Sequence, residues 1–266
     1  MNLIFFGHHD SEWNNALSDN LLPSLMPKIC SIKNIYDINK LVYEDTIIIP
    51  IMESHMLQLY KHKVKWNNCI MPSIENIITF SYKNNFYIYM VNNNFEQYLP
   101  KTYTTISNID KKCVVVKPFN LNAATGVYIT QKKYITNKLF KDHIIQELII
   151  GSEEFVSHIV SDQGKIIECM TYKYKFKSNV CIKRPRSKYE LEKVTLNEET
   201  IDIFEKILTP CRYTGILNIN FKYYCGKIKI FEVNPRLGGS LMLSENKFDL
   251  HQIINASILS HLYKKN

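Results

Sequence analysis

The stretch "FEVNPRLGGS", residues 231–240, sets a carboxylate and an amide two residues apart, then follows them with a proline, an arginine and two glycines. On a strand, Glu232 and Asn234 face the same side. The apolar run before it, "GILNINFKYY" at 215–224, leads in through Cys225-Gly226, a hairpin turn sequence. A hairpin centred near Gly226 puts Asn220 across from Glu232 and Asn218 across from Asn234. One carboxylate and up to three amide oxygens then share a sheet face. Hard oxygen donors of this kind suit Mg²⁺, which takes few protein ligands and completes its octahedron with water and phosphate oxygens. Pro235 stiffens the exit, and the Arg236 guanidinium fits a phosphate bidentately. From these residues alone, a hairpin with a solvated polar face reads equally well.

The rest of the chain must hold that hairpin in place. The runs "LIFFG" (3–7), "KICSI" (28–32) and "TIIIPI" (46–51) are β-rich and separated by helix-length polar segments, which predicts parallel strands with right-handed crossovers. Ligands in such folds sit beyond the carboxyl ends of the strands, where "GHHDSEW" and "PIMESH" lie. His8, His9 and Asp10 form a possible metal trio, but adjacent histidines face different ways, so a ligand-facing polar loop is the better reading. Phe86, Tyr87, Met90 and Val91 keep helical spacing behind a cap at Ser81, and residues 92–102 read as a linker. Longer strands follow at 113–119, 144–149, 154–161, 166–176, 180–184, 214–224 and 227–233, with "SDQG" and "CG" as hairpin turns. Helices are expected near 198–208, with Ile201, Phe204 and Leu208 on one face, and near 249–263. Leu250, Ile253, Ile254, Ile258 and Leu262 stripe the second. The class is α/β in front and α+β behind.

Bulk composition narrows the function classes. A length of 266 residues allows two modest domains, and 45% hydrophobic with 22% charged residues is ordinary for a soluble globular protein. No apolar stretch approaches a membrane span, and "MNLIFFG" lacks the basic start and length of a signal peptide. Seven cysteines without a CxxC pair argue against a disulfide framework and a zinc ribbon, and fit a reducing cytoplasm. The net charge of +8 raises nucleic acid as a partner. Lysine as the default surface residue of a chain rich in Asn, Lys, Ile and Tyr explains it better. In "TYKYKF" (171–176), aromatics alternate with lysines as on a half-buried strand with a solvated basic face.

The strand E-x-N-P-R with a small-residue run after it resembles the carboxy-terminal signature of the ATP-grasp superfamily. "CVVVKPFNLNAATGVYI" (113–129) is similar to that family's strand and loop carrying a phosphate-binding lysine, and "IIQELIIGSEEFVSHIVSDQGKII" (144–167) to its hinge and ribose-binding segment. "SYKNNF" resembles the first basic nucleotide contact, and "IIIPIMESHMLQLY" the end of the domain that precedes the ATP-grasp unit. The match runs in family order across nearly the whole chain. It implies a pre-ATP-grasp βαβ domain (1–75) followed by a two-lobed ATP-grasp domain (76–266), the small lobe near 100–150 and the large lobe 151–266.

Carried over by position, the resemblance implies that Lys83 and Lys117 neutralise ATP phosphates. Glu147 would accept from the adenine amino group, with the backbone of Leu148 or Ile149 reading the ring edge, and Glu154 would hold the ribose hydroxyls. Asn220, Glu232 and Asn234 would carry one or two Mg²⁺, and Arg236 would meet the γ-phosphate. Three positions depart from the family pattern. The loop "FNLNAATG" keeps full backbone freedom only at Gly126, which predicts a stiffer phosphate lid. Asn220 replaces the usual acid or glutamine, leaving Glu232 as the sole anion among the metal ligands and weakening the case for a second Mg²⁺. His158 stands where many relatives are acidic, and reads better as a core-edge histidine than as a substrate group.

The expected function is an ATP-dependent carboxylate–amine ligase that works through an acyl phosphate and releases ADP. Its partners would be a small-molecule carboxylate and an amine, amino acid or peptide, with no nucleic acid and no membrane, and a homodimer is left open. Glu53, His8 and Arg184 are candidates for an acceptor pocket between the front domain and the last β unit. An ATP-grasp kinase is the alternative within the fold, and a basic nucleic-acid-binding protein the alternative outside it. Convergence of Lys83, Lys117 and Arg236 on one cleft, as against an exposed basic stripe, discriminates the last.

Overall fold

The computed structural model describes residues 2–18, 28–30, 46–62, 68–120, 125–184 and 187–263. At the front, β1 (Asn2–Phe6), β2 (Lys28–Cys30) and β3 (Thr46–Pro50) form a parallel sheet in the order β2-β1-β3, as the alternating apolar runs predict. Strand β3 is buried along its whole length, which is why it reads as an unbroken apolar run rather than an alternating one. Asp10 caps helix α1 (Ser11–Ser18) by accepting from the Trp13 amide at 3.1 Å, and α2 (Glu53–Lys61) follows β3 directly.

Two short helices come next, α3 (Ile74–Ser81) and α4 (Lys83–Asn92). Ser73 caps α3, its hydroxyl accepting from the Asn76 amide at 3.2 Å. The expected cap at Ser81 is therefore corrected: Ser81 ends α3, and an extended Tyr82 breaks the chain before α4. Phe86 and Met90 are buried as their spacing predicts, whereas Val91 is exposed. The break positions Lys83 at the first turn of α4, where its amide donates to Phe119 O at 3.2 Å.

Phe119 follows β5 (Cys113–Pro118), which belongs to an antiparallel sheet with β4 (Thr102–Tyr103), β6 (Tyr128–Gln131) and β7 (His143–Glu147), in the order β4-β7-β5-β6. The larger sheet has the order β10-β9-β8-β11-β12, from β8 (Glu153–Asp162), β9 (Lys165–Lys175), β10 (Glu190–Val194), β11 (Gly215–Tyr224) and β12 (Lys227–Asn234). Both expected turns are two-residue hairpin turns with positive φ at each central residue, Gln163-Gly164 and Cys225-Gly226. Helix α5 (Glu198–Leu208) and helix α6 (Lys247–Tyr263) lie where periodicity places them.

The predicted strand at 180–184 is absent, since residues 176–184 run irregularly beside the sheet. The strand in that part of the chain is β10, whose exposed Glu192 pairs with Lys173 (3.1 Å) and Lys175 (2.8 Å) of β9 rather than the strand showing an apolar run. Charge complementarity across a sheet edge, invisible to hydrophobic periodicity, makes that strand.

The two faces of the large sheet carry different loads. Phe155, Ile159, Ile219 and Phe221 pack with Phe80, Phe86, Phe204 and Ile207 of α3, α4 and α5. On the other face, Val156, Val160 and Tyr172 pack with Leu250 and Ile254 of α6 and with Leu3 and Ile47 of the front sheet. That second face also continues past the packed region into open space. No helix among the described residues is long and apolar enough to cross a membrane.

Candidate active site

The open end of the large sheet faces the small sheet across a cleft of about 750 Å³, within the usual range for a small-molecule site. Its floor is the β11–β12 hairpin. Asn220 pairs with Glu232 and Asn218 with Asn234, as the sequence predicts. The route to that register differs from the expected one. The turn is centred between Cys225 and Gly226, and Phe221 pairs with Ile230, so a regular ladder would put Phe231 opposite Asn220. A β-bulge opposite the step from Asn220 to Phe221 absorbs the extra residue. As a result two consecutive side chains, Phe231 and Glu232, both line the cleft.

Polar groups on this floor are bonded to one another. Asn218 Nδ2 donates to Arg236 O at 3.0 Å, and Asn218 Oδ1 accepts from Asn220 Nδ2 (3.3 Å) and Asn234 Nδ2 (3.1 Å). Those two amides also donate to Glu232 Oε1, at 3.3 and 3.4 Å. Lys183, from the irregular segment, donates to Asn220 Oδ1 at 2.8 Å, lies 3.2 Å from Glu154 Oε1 and sits over the Tyr174 ring. Lys222 ties the floor to the hinge by donating to Gly151 O at 2.7 Å.

Three lysines surround the one carboxylate of the hairpin. Burial alone would raise the Glu232 carboxyl, but the charges of Lys83, Lys183 and Lys117 outweigh it and hold it below the usual range. Burial, helped by the Lys83 charge, pushes Lys117 down to about 8, although Glu232 and Glu154 pull the other way. Its ammonium lies over the Phe231 ring, 5.1 Å from the centroid. Lys183 is also in a site where burial lowers its pKa, yet Glu154 beside it raises it overall and keeps it charged. Such a cluster holds more positive charge than its own carboxylates neutralise. A polyphosphate is the ligand class that completes it.

The opposite wall supplies Lys117, Glu147, Leu148 and Ile149, all lining the cleft. Glu147 closes β7 and accepts from the Lys101 amide at 3.0 Å. Glu154 starts the large sheet on the far side of a short linker and is buried, 7% exposed. Apolar Val115, Val127 and Ile149 line the same cleft as the two carboxylates.

A sequence model of the ATP-grasp domain matches residues 83–240. The chain belongs to the ATP-grasp family. Solved structures with the same fold include D-alanine–D-alanine ligase from Bacillus anthracis, with a TM-score of 0.64 and 15% identity over 99% of this chain and 98% of that one. Phosphoribosylamine–glycine ligase from Thermotoga maritima has a TM-score of 0.67 and 14% identity over 93% and 71%. An L-amino acid ligase from Bacillus licheniformis has a TM-score of 0.60 and 13% identity over 95% and 74%. No curated protein sequence matches.

Within this ATP-grasp cleft, Lys83, Lys117, Glu147, Leu148, Ile149, Glu154, Arg184, Asn220, Glu232, Asn234 and Arg236 all line one space. Glu53 and His8 do not. Glu53 is buried in α2 and holds Arg236, with Nε 3.0 Å from both carboxylate oxygens, while Nη1 donates to Leu237 O at 2.8 Å. The His8 ring faces His55, 5.5 Å between centroids, and the loop reaches the cleft through His9 and Asp10 instead. Arg184 is anchored by Nη2 to Val127 O at 2.9 Å.

His158 is fully buried beneath the floor, its Nε2 2.7 Å from Ser240 Oγ. Burial, with the Lys183 and Arg236 charges nearby, drives it down to about 3, so it is neutral, and its place in the core agrees with the sequence reading. Gly238 lies against it: a Cβ there would come within 2.3 Å of its Cε1. Residues 121–124, half of the loop expected as a phosphate lid, lie outside the described residues.

No group of three or more His, Cys, Asp or Glu side chains among the described residues is placed to hold a metal ion. The described residues therefore form no carboxylate cage. They leave a donor set of one carboxylate and amide oxygen, which fits Mg²⁺ taken up with phosphate oxygens. Sequence reasoning missed Lys183 as a cleft residue. Its neighbour Arg184 was the expected cation, at the end of a strand over 180–184 that does not form. In an irregular segment both reach the cleft.

Proposed function

We propose that this chain is an ATP-dependent carboxylate–amine ligase. The observation that carries the reading is the convergence of Lys83, Lys117 and Lys183 on Glu232 within one cleft, between carboxylates suited to a nucleoside. An exposed basic stripe, as nucleic-acid binding would need, has no such focus. The ligase names among its structural neighbours support the same class.

Glu147 and the backbone of Leu148 and Ile149 would take the adenine edge, and Glu154 the ribose hydroxyls, since one carboxylate accepts from two neighbouring hydroxyls. Lys83 and Lys117 would neutralise the phosphates. Mg²⁺, when bound on the Glu232 and Asn234 oxygens, would add charge neutralisation at the transferring phosphate. Arg236, fixed by Glu53, would present its remaining donors to the developing negative charge. Arg184, from the segment beside the cleft, is the cation available for a substrate carboxylate.

The chemistry balances as acid, ATP and amine giving amide, ADP and phosphate. The carboxylate oxygen bonds to the γ-phosphorus as the bond to ADP breaks, and the amine then displaces phosphate from the acyl carbon, losing a proton. The chain's cations surround the terminal phosphates and leave the α-phosphate unassisted, which favours ADP over AMP as product. A small acid and amine are the expected substrates. The free cysteines among the described residues suit a reducing cytoplasm.

Screening acids and amines for substrate-dependent ADP release tests the reading. A true pair should give ADP and phosphate in equal amounts, and the acid with hydroxylamine should give a hydroxamate. ADP with neither hydroxamate nor phosphate would point to a kinase, and AMP with pyrophosphate would sink the proposal.

A further inference from the structure

Three amides stand in a row on the cleft floor, and two groups of fixed polarity decide which way each one points. The Arg236 carbonyl can only accept, so Asn218 must present its NH₂ there, and its Oδ1 faces the other way. That oxygen can only accept, so Asn220 and Asn234 both turn NH₂ groups toward it. At the far end the Lys183 ammonium can only donate, and it is 2.8 Å from Asn220 Oδ1. Both ends therefore demand the same orientation of Asn220. Its oxygen is committed to Lys183, and its N–H groups face Asn218 and Glu232.

A metal ligand must offer an oxygen, and the Asn220 oxygen is already taken by the Lys183 ammonium. Flipping the amide would set NH₂ against an ammonium and an oxygen against both the Glu232 carboxylate and Asn218 Oδ1, losing three contacts at once. Asn234 is different. Its NH₂ is likewise held by Asn218 and Glu232, but among the described residues no lysine donates to its oxygen. Burial makes the Asn220 arrangement costly to rebuild, since that residue is 6% exposed.

We infer that this cleft works with a single divalent cation, on Glu232 and Asn234, and that the Lys183 ammonium, pinned between Glu154 and Asn220, is its second, built-in cation. The inference rests on the ATP-grasp reading of the cleft and deepens it. It explains why a neutral residue stands at position 220: a carboxylate there would have to share itself between a lysine and a metal. A protein cation needs no recruitment from solution, so nucleotide binding should saturate at metal concentrations just sufficient to form the 1:1 metal–nucleotide complex.

Counting metal ions tests this without turnover. Mn²⁺ would be titrated into the full chain with a non-hydrolysable ATP analogue, bound Mn²⁺ read by electron paramagnetic resonance and bound nucleotide by equilibrium dialysis. One Mn²⁺ per bound nucleotide is expected for the natural chain. The double variant Asn220→Asp with Lys183→Met should bind two, with the line broadening of a coupled pair, and Lys183→Arg should stay at one. Two Mn²⁺ on the natural chain would overturn the inference while leaving the nucleotide site standing, and needs no variant to fold. One Mn²⁺ on both the natural chain and the double variant would overturn the role given to Lys183. Absence of bound nucleotide in dialysis would sink the ATP reading and the inference together.

Discussion

The two walls of the cleft are built on opposite plans. On the large-sheet wall, Asn218, Asn220, Glu232, Asn234 and Lys183 are bonded to each other in a closed set. On the small-sheet wall, Lys117 rests its ammonium over an aromatic ring from the other wall, and burial has already cut its hold on its proton. One wall is preorganised, with its charges matched before any ligand arrives. The other carries a cation that a phosphate would stabilise. The difference suggests a division of labour in which the large sheet fixes geometry and the small sheet responds to the ligand.

The sharpest way to break that contrast is at Glu232. Glu232→Gln keeps the shape of the closed set but removes its only hairpin carboxylate, and turnover should fall about 10³-fold, the scale of a lost electrostatic group in a catalytic site. Near-normal turnover in a steady-state assay would mean that the floor is structural. Lys117→Ala attacks the responsive wall. Nucleotide should then raise the melting temperature much less than in the natural chain, with Kd about 100-fold weaker, while the melting temperature without nucleotide stays unchanged. An unaltered nucleotide-induced shift would move the responsive role elsewhere.

A gentler effect comes from pH. Lys117 in the free protein loses its proton as pH rises through about 8. The charged form is the one that attracts phosphate, so nucleotide affinity should drop about tenfold per pH unit above that point. Calorimetric titrations of Lys117→Arg should show no such decline, because guanidinium stays charged. On the preorganised wall, Gly238→Ala should cost about 1–3 kcal/mol in denaturant unfolding, because the added methyl meets the His158 ring. A gradual effect should appear on acidification. His158 titrates at about 3 folded and near 6.5 unfolded, so the unfolded chain binds more protons between those values. Stability is full above pH 6.5 and declines below it, by about 1.4 kcal/mol per pH unit from this histidine. His158→Gln should flatten that slope in urea titrations.

Much of this was legible in the chain. Parallel front strands followed from apolar runs, the two hairpin turns from their residues, and Lys83, Lys117 and the EVN strand from motif order. What escaped had physical reasons. Strand β10 is stabilised by Glu–Lys pairing, which leaves no apolar period. Lys183 sits in irregular chain, where no periodicity predicts direction. The pairing of Arg236 with Glu53 joins residues 183 positions apart, and nothing local announces it. His9 rather than His8 meets the cleft because the loop after β1 turns at Gly7, whose φ of 115° favours glycine.

The bulge on β12 means that the aromatic ring beneath Lys117 is a matter of chain length rather than residue choice. Phe231 is one residue more than the ladder requires, so excising it should restore strict alternation and leave Glu232 and Asn234 opposite the same partners. Excising Val233, two positions on, would instead swing Asn234 to the core side and put an amide among phenylalanines. Neighbouring single-residue deletions in one strand should therefore differ as sharply as a trimmed ornament differs from a cut beam. The tolerated one would still fold with its carboxylate in the cleft, only without the ring for the lysine to rest on.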